Sequence, residues 1–424
     1  MIWGLMVFLF YKSIIEGFLS FQLFSFFRQN KLYLVFILLV SIGFLILIFK
    51  ASLRNLKKVS LYLNLLFFII VILEIVKVIE KTSENPPLVI STNKLLFSPI
   101  QNTNPPNIYL IVMDEYAGIE SLKKNHGFDN TEFVNSLLKR KFFVSKNPNS
   151  NYNGTPFSLL SLLDMGYLNN FNKKDIESVT GYGEAVKAIQ KNQLTDFLQK
   201  NGYRIINNSC FKINGTNSYP ILFLPIEDRL AMDKTLGNAL WYNLFSYIPS
   251  NKIQILLNSY GARMDNYNQK IIKNSEIFNK HYKNPVFIYT HLLIPHDPYL
   301  RNNNGVLRSF SETHHERDST SRNIAYLNYL KYGNGVVIKM IDSFLKKNSN
   351  SIVVLISDHG NRFVKVKNKN NSDFNNFLAI YNYQFNYSGF SDTSCLVNTF
   401  RLILNNHLNQ KLPLLVNKQI NVSD

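Results

Sequence analysis

Two hydrophobic patterns divide the chain. From residue 107 onward, short runs rich in aliphatic residues stand at 108–113, 203–207, 285–293 and 352–356. Runs that do not alternate with polar residues belong to strands covered on both faces, as in a parallel sheet. Between them, apolar residues recur at helical spacing over 129–140, 156–165, 183–201, 267–280 and 321–346. The alternation predicts one α/β domain with a mainly parallel central sheet flanked by helices, spanning 107–424.

The first part of the chain follows a different rule. Residues 32–49 (LYLVFILLVSIGFLILIF) hold no charged side chain. They approach the ~20 residues that a helix needs to cross a hydrocarbon layer ~30 Å thick, and a transmembrane helix is expected there. Residues 61–78 form a second expected span, interrupted by Glu74 and Lys77, which stand about one turn apart and can pair. A buried core helix is the alternative for that segment. Residues 2–27 are apolar and aromatic but hold Lys12 and Glu16, and fit a third span, an interfacial helix or the remnant of one. Lys50, Arg54, Lys57 and Lys58 lie in the short loop between the two clear spans, which the positive-inside rule puts in the cytoplasm. The expected organisation is a membrane region at 1–80, a proline-bearing linker at 81–106 and an extracytoplasmic domain at 107–424. That domain would lie at the cytoplasmic membrane and face the periplasm or cell exterior.

Composition narrows the partners. A chain of 424 residues that is 46% hydrophobic and 14% aromatic is neither disordered nor fibrous. The formal net charge of +18 suits nucleic acid, an anionic membrane or phosphorylated substrates. The Lys and Arg residues are scattered among Asn and Tyr without a nucleic-acid-binding signature, so the membrane and phosphorylated substrates are the expected partners. Cys210 and Cys395 are too few for a disulfide framework or a metal cluster, and read as isolated buried thiols, a single bridge between them staying open outside the cytosol.

Four stretches carry candidate chemistry. Residues 351–360 (SIVVLISDHG) end a buried strand in Asp358 and His359, an oxygen and a nitrogen ligand at the sheet edge where α/β proteins bind ligands, with Gly360 freeing the turn. Residues 107–116 (NIYLIVMDEY) end likewise in Asp114, placed to join that pair around a divalent ion, while Glu115 is expected to point the other way, to a place behind the ligands or to the surface. In 149–168 (NSNYNGTPFSLLSLLDMGYL), Gly154 permits a turn, Thr155 is the expected N-cap and Pro156 the first helical residue. A helix start binds phosphoryl groups, and a cation beside the Thr155 hydroxyl would activate it as a nucleophile. In 289–299 (YTHLLIPHDPY), His291 and His296 can converge only across a folded-back loop. There they could bind a second metal, donate to phosphoryl oxygens or protonate a leaving group.

In this order, strand-Asp114, the Thr155 helix start, His291-x4-His296-x-Pro and Ser-Asp358-His359-Gly resemble the alkaline phosphatase and sulfatase superfamily. The branch they look like is the membrane-anchored one of lipoteichoic acid synthases and lipid A phosphoethanolamine transferases. The resemblance implies metal ligands at Asp114, Thr155, Asp358 and His359, with Thr155 as nucleophile. It also implies phosphoryl contacts from His296 and His291, with Arg362, His314 and His315 as further candidate substrate contacts. It implies one divalent ion (Zn, Mn or Mg), a lipid-linked donor of a phospho-head group, and a surface glycan or lipid acceptor. After the Asp-His-Gly motif come Asn361, Arg362 and Phe363 and then a Lys/Asn-rich loop without His, which argues against a complete second metal site, and the strand acid is Asp where that branch usually has Glu. Thr155-Pro156-Phe157-Ser158-Leu159 also lacks the Cys/Ser-x-Pro-x-Arg context in which sulfatases mature formylglycine. A hydrolase, or a non-catalytic glycan-binding domain on the same fold, is the rival expectation.

Overall fold

The computed structural model describes residues 39, 42–43, 46, 50, 52–84, 90–169, 179–219, 251–278, 280–309, 312–313, 318–362 and 372–422. Most of the expected span at 32–49, all of 2–27, and His314 and His315 lie outside the described residues. The chain divides into two compact units, Met1–Pro87 with Pro225–Ile253, and Leu88–Leu224 with Gln254–Asp424.

In the first unit, helix α1 (Leu53–Glu84) takes in the expected second span. Leu61, Tyr62, Leu65, Phe68, Ile69, Ile72 and Ile75 on it are all exposed, Leu61 by 72% and Phe68 by 61%. Among the described residues, no helix is long and apolar enough to cross a membrane.

The second unit holds the sheet. In chain order it runs β1 (Ser91–Thr92), β2 (Asn107–Met113), α2 (Ile119–His126), α3 (Thr131–Lys139), β3 (Phe143–Val144), α4 (Thr155–Asp164), β4 (Leu168–Asn169), α5 (Val179–Ile189), α6 (Gln193–Lys200) and β5 (Arg204–Asn208). Then come α7 (Asn251–Phe278, within this unit from Gln254), β6 (Val286–Leu292), α8 (Ser319–Lys347), β7 (Ser351–Ile356), β8 (Leu378–Asn382) and α9 (Leu396–His407). Six strands form one sheet in the order β3-β8-β7-β2-β6-β5. β7, β2, β6 and β5 are parallel, whereas β8 runs antiparallel to β7 and β3 antiparallel to β8. The sheet is therefore mixed: the expected parallel centre gains an antiparallel edge. β6 and β7 are buried along their whole length, as is β2 after Asn107, which is why their sequences are unbroken apolar runs. Helix α8 packs on this layer, with Phe344 stacked on Tyr109 at 4.4 Å between ring centroids.

Two expectations change in detail. The helix expected over 183–201 is two helices, because the Asn192 side chain captures the Thr195 N–H (2.9 Å) and starts α6 as its N-cap. The C-terminal part of the expected linker is tied down: β1 pairs with β4, Ser98 N–H donates to Gln410 Oε1 (2.9 Å) and Ile100 N–H to Asn201 Oδ1 (2.8 Å).

Candidate active site

The parallel register brings three strand ends to one level, with Val112 beside Ile356 on one side and beside His291 on the other. Asp114 follows β2 and Asp358 follows β7, so both carboxylates emerge at the carboxyl edge of the sheet. Both are buried, as is His359. Gly360 makes the tight exit possible, since a Cβ there would fall on the carbonyl oxygen of Ser372.

Each of these side chains has one polar atom engaged and one left over. Asp358 Oδ1 accepts the Glu115 N–H at 3.1 Å, and Asp358 Oδ2 has no hydrogen-bond partner. Asp114 Oδ2 lies 3.4 Å from His291 Nε2, and Asp114 Oδ1 has no partner. His359 Nδ1 is 2.8 Å from the Gly360 carbonyl, which can only accept, so Nδ1 carries the proton and Nε2 keeps its lone pair. That lone pair lies 3.3 Å from Asp358 Oδ2 and 4.0 Å from Asp114 Oδ1. Three electron-rich atoms, mutually close and buried, are mutually unfavourable unless a cation sits among them. Asp114, Asp358 and His359 accordingly make up a candidate metal site whose ligand atoms lie within 4.8 Å of one another. The donor set, two carboxylate oxygens and an imidazole nitrogen, fits a divalent ion.

Thr155 completes the cluster, its Oγ1 standing 3.4 Å from His359 Nε2. Gly154, in extended conformation, is the N-cap of α4, so Thr155 is the first helical residue, not the cap. Its hydroxyl is consequently not used in capping. Ser158, one turn on, donates to the Asp358 carbonyl (2.5 Å) and fixes the helix start against the strand end. The loop before Thr155 is held by a segment far along the chain. Val422 N–H donates to Asn153 Oδ1 (2.7 Å), Asn153 Nδ2 to Asn421 Oδ1 (2.7 Å) and Ile420 N–H to the Asn151 carbonyl (2.9 Å).

The histidines divide. His291 is fully buried, with Nδ1 2.8 Å from the Tyr289 hydroxyl and Nε2 facing Asp114, so the structure places it behind the metal ligand as its orienting partner. His296 donates from Nδ1 to the Asp297 carbonyl (2.5 Å) and turns Nε2 toward Glu115 Oε2 at 3.9 Å. Burial would lower the His296 pKa, but the charges of Asp114 and Glu115 outweigh it and raise the value above that of an ordinary histidine. Burial likewise opposes ionisation of Asp114, yet the charge of His296 and the hydrogen bond from His291 hold its carboxyl well below the usual range.

Arg362 joins through Glu115, whose Oε1 accepts the Arg362 N–H at 3.1 Å and lies 3.8 Å from Nε. Its pKa is lowered by burial and raised more strongly by Glu115, Asp114 and Asp358. Of the two places open to Glu115, behind the ligands or at the surface, it takes the first: a backbone with φ 63° turns it inward, and it is fully buried. Tyr289, two residues before His291 and hence on the same strand face, was legible as a partner from the period of two. Cys210 and Cys395 are both free and buried.

Residues 106–388 match the protein-family model described as Sulfatase. The chain belongs to the Sulfatase family. The superfamily expected from the four motifs is thus the one found. Among solved structures, this Sulfatase chain is similar to the C-terminal periplasmic domain of EcEptC from Escherichia coli in complex with Zn, at 15% identity over 77% of this chain and 87% of that one, with a TM-score of 0.46. It is similar to the integral membrane protein lipooligosaccharide phosphoethanolamine transferase A from Neisseria meningitidis, at 15% identity over 89% and 70%, TM-score 0.43. It is also similar to a putative sulfatase from Bacteroides thetaiotaomicron, at 11% identity over 75% and 74%, TM-score 0.44. No curated protein matches the chain. Family and site together support an enzyme acting on phosphate or sulfate esters, with a candidate divalent-metal site at Asp114, Asp358 and His359.

Proposed function

We propose that this chain is a membrane-anchored phosphotransferase that moves a phospho-head group from a lipid donor to a cell-envelope acceptor through a phospho-Thr155 intermediate. The observation that carries the reading is the approach of Thr155 Oγ1 to His359 Nε2 at 3.4 Å, within the cluster of unpartnered carboxylate oxygens. A divalent ion held by Asp114 Oδ1, Asp358 Oδ2 and His359 Nε2 supplies Lewis-acid stabilisation of anionic oxygen when bound.

Thr155 Oγ1 attacks phosphorus in line and gives up its proton to solvent, while the bond from phosphorus to the lipid alcohol breaks. The first N–H groups of α4 face the phosphoryl oxygens. His296, whose raised pKa keeps it protonated more readily than an ordinary histidine, donates the proton to the departing oxygen. In the second half the acceptor hydroxyl loses its proton to His296 and attacks phosphorus, while the bond from phosphorus to Thr155 Oγ1 breaks and Oγ1 takes a proton back from solvent, which restores the Thr155 hydroxyl. Water in place of the acceptor makes the same site a hydrolase.

Anchoring is supported by the uncharged run at 32–49 and by the exposed apolar side chains of α1. Keeping enzyme and lipid donor on one surface raises their effective concentration. The test is covalent labelling from a phosphodiester lipid donor carrying a labelled head group. The wild-type chain is expected to carry label, and Thr155→Ala and chelator-treated protein to carry none; undiminished labelling of Thr155→Ala removes the nucleophile assignment.

A further inference from the structure

We propose that Glu115 makes this site select monoanionic esters, a phosphodiester over a phosphomonoester. The inference rests on the phosphate-ester reading above, in which Glu115 acts only by helping to keep His296 protonated. A non-glycine residue keeps a left-handed backbone only where its surroundings hold it there, and Glu115 does so with its side chain fully buried. Its N–H is fixed on Asp358 Oδ1, and its carboxylate stands between two cationic groups, 3.8 Å from Arg362 Nε and 3.9 Å from His296 Nε2.

The charges decide what the pocket accepts. Asp114, Glu115 and Asp358 bring three negative charges, Arg362 one positive and a divalent ion two more. The loaded site is then neutral before His296 is counted. With an uncharged group in place of Glu115 it would carry one net positive charge, and Arg362, still 32% exposed, would lose its nearest counter-charge. In a site shielded from water each added charge on the ester is felt strongly. Glu115 offsets Arg362 and so withdraws the reward that a second phosphate charge would otherwise meet.

The full-length chain is used in a Thr155→Ala background, so that no turnover consumes the probes, with Zn2+ present at about pH 8, where a phosphomonoester is dianionic. Calorimetry gives the affinities for dimethyl phosphate and methyl phosphate, and their ratio is the readout. Glu115→Gln is expected to shift the ratio about tenfold or more toward the monoester, the equivalent of ~1.4 kcal/mol. Glu115→Asp, which keeps the charge, should leave the ratio within about threefold, and Arg362→Gln should move it the opposite way. A ratio that Glu115→Gln does not move, that Glu115→Asp moves equally, or that Glu115→Gln and Arg362→Gln move in one direction overturns the proposal. Failure of the Thr155-bearing chain to turn over any phosphate ester would overturn the transferase reading alone, since the affinity ratio would still judge Glu115.

Discussion

The two ends of helix α4 each meet a buried carboxylate, and they treat it in opposite ways. At the start, beside Thr155, the oxygens Asp114 Oδ1 and Asp358 Oδ2 face one another and His359 Nε2 without a donor between them. At the end, Asp164 has both oxygens satisfied, Oδ1 by the Gln193 N–H (2.8 Å) and Oδ2 by the Thr92 hydroxyl (2.9 Å). The first arrangement is incomplete as protein and calls for a ligand; the second is complete and serves to join β1, α4 and α6. The cleft of about 740 Å³, lined by Thr92, Leu95, Phe97, Lys191 and Gln193, opens at the Asp164 end. Unsatisfied polar atoms, not that cleft, mark the candidate site.

The contrast can be broken most forcefully at the strand end. Asp358→Asn replaces an anionic ligand by a neutral one, and is expected to lower kcat/KM for a phosphodiester by about a thousandfold or more, with loss of bound metal. Metal content by elemental analysis together with steady-state rates checks it; a metal-free variant at full rate would refute the cation's role. His291→Phe removes only the partner behind Asp114, and a drop of roughly 10–100-fold in metal affinity is expected, measured by competition with a chelator. Asp164→Ala strands the donors of Gln193 and Thr92, and should cost ~1–3 kcal/mol of stability in denaturant unfolding while leaving activity intact.

The smallest effect lies in pH. Burial raises the Asp164 pKa against the opposing hydrogen bonds from Gln193 and Thr92. An acid with a raised folded pKa favours the native state fully below its ordinary value of about 3.9, and loses that contribution as pH climbs through the folded value. Across that window the wild-type chain should lose stability relative to Asp164→Asn, as unfolding curves on the two proteins would record; a difference independent of pH would place the titration elsewhere.

Strand identity was readable because burial on both faces leaves no polar positions, as in residues 352–356. β8 (LAIYN) was not, since it is short and bounded by Asn-rich segments, and α2 (IESLKKNH) shows too few apolar positions to mark a face. Asp114, Asp358 and His359 could be picked out because each ends such a run. Glu115 could not, because alternation assigns it to the outer face and only the left-handed backbone reverses that. Nor does a pair of histidines in sequence tell which ring nitrogen is already engaged; that depends on Tyr289 and on the Asp297 carbonyl.

Asn153, two positions before Thr155, is grasped by Val422, a partner 269 positions downstream. During synthesis the loop therefore takes its final shape only after residues 420–422 have emerged. A nascent chain paused short of that point would carry a finished sheet centre while Asn151 and Asn153 still lacked the partners that fix the approach to Thr155.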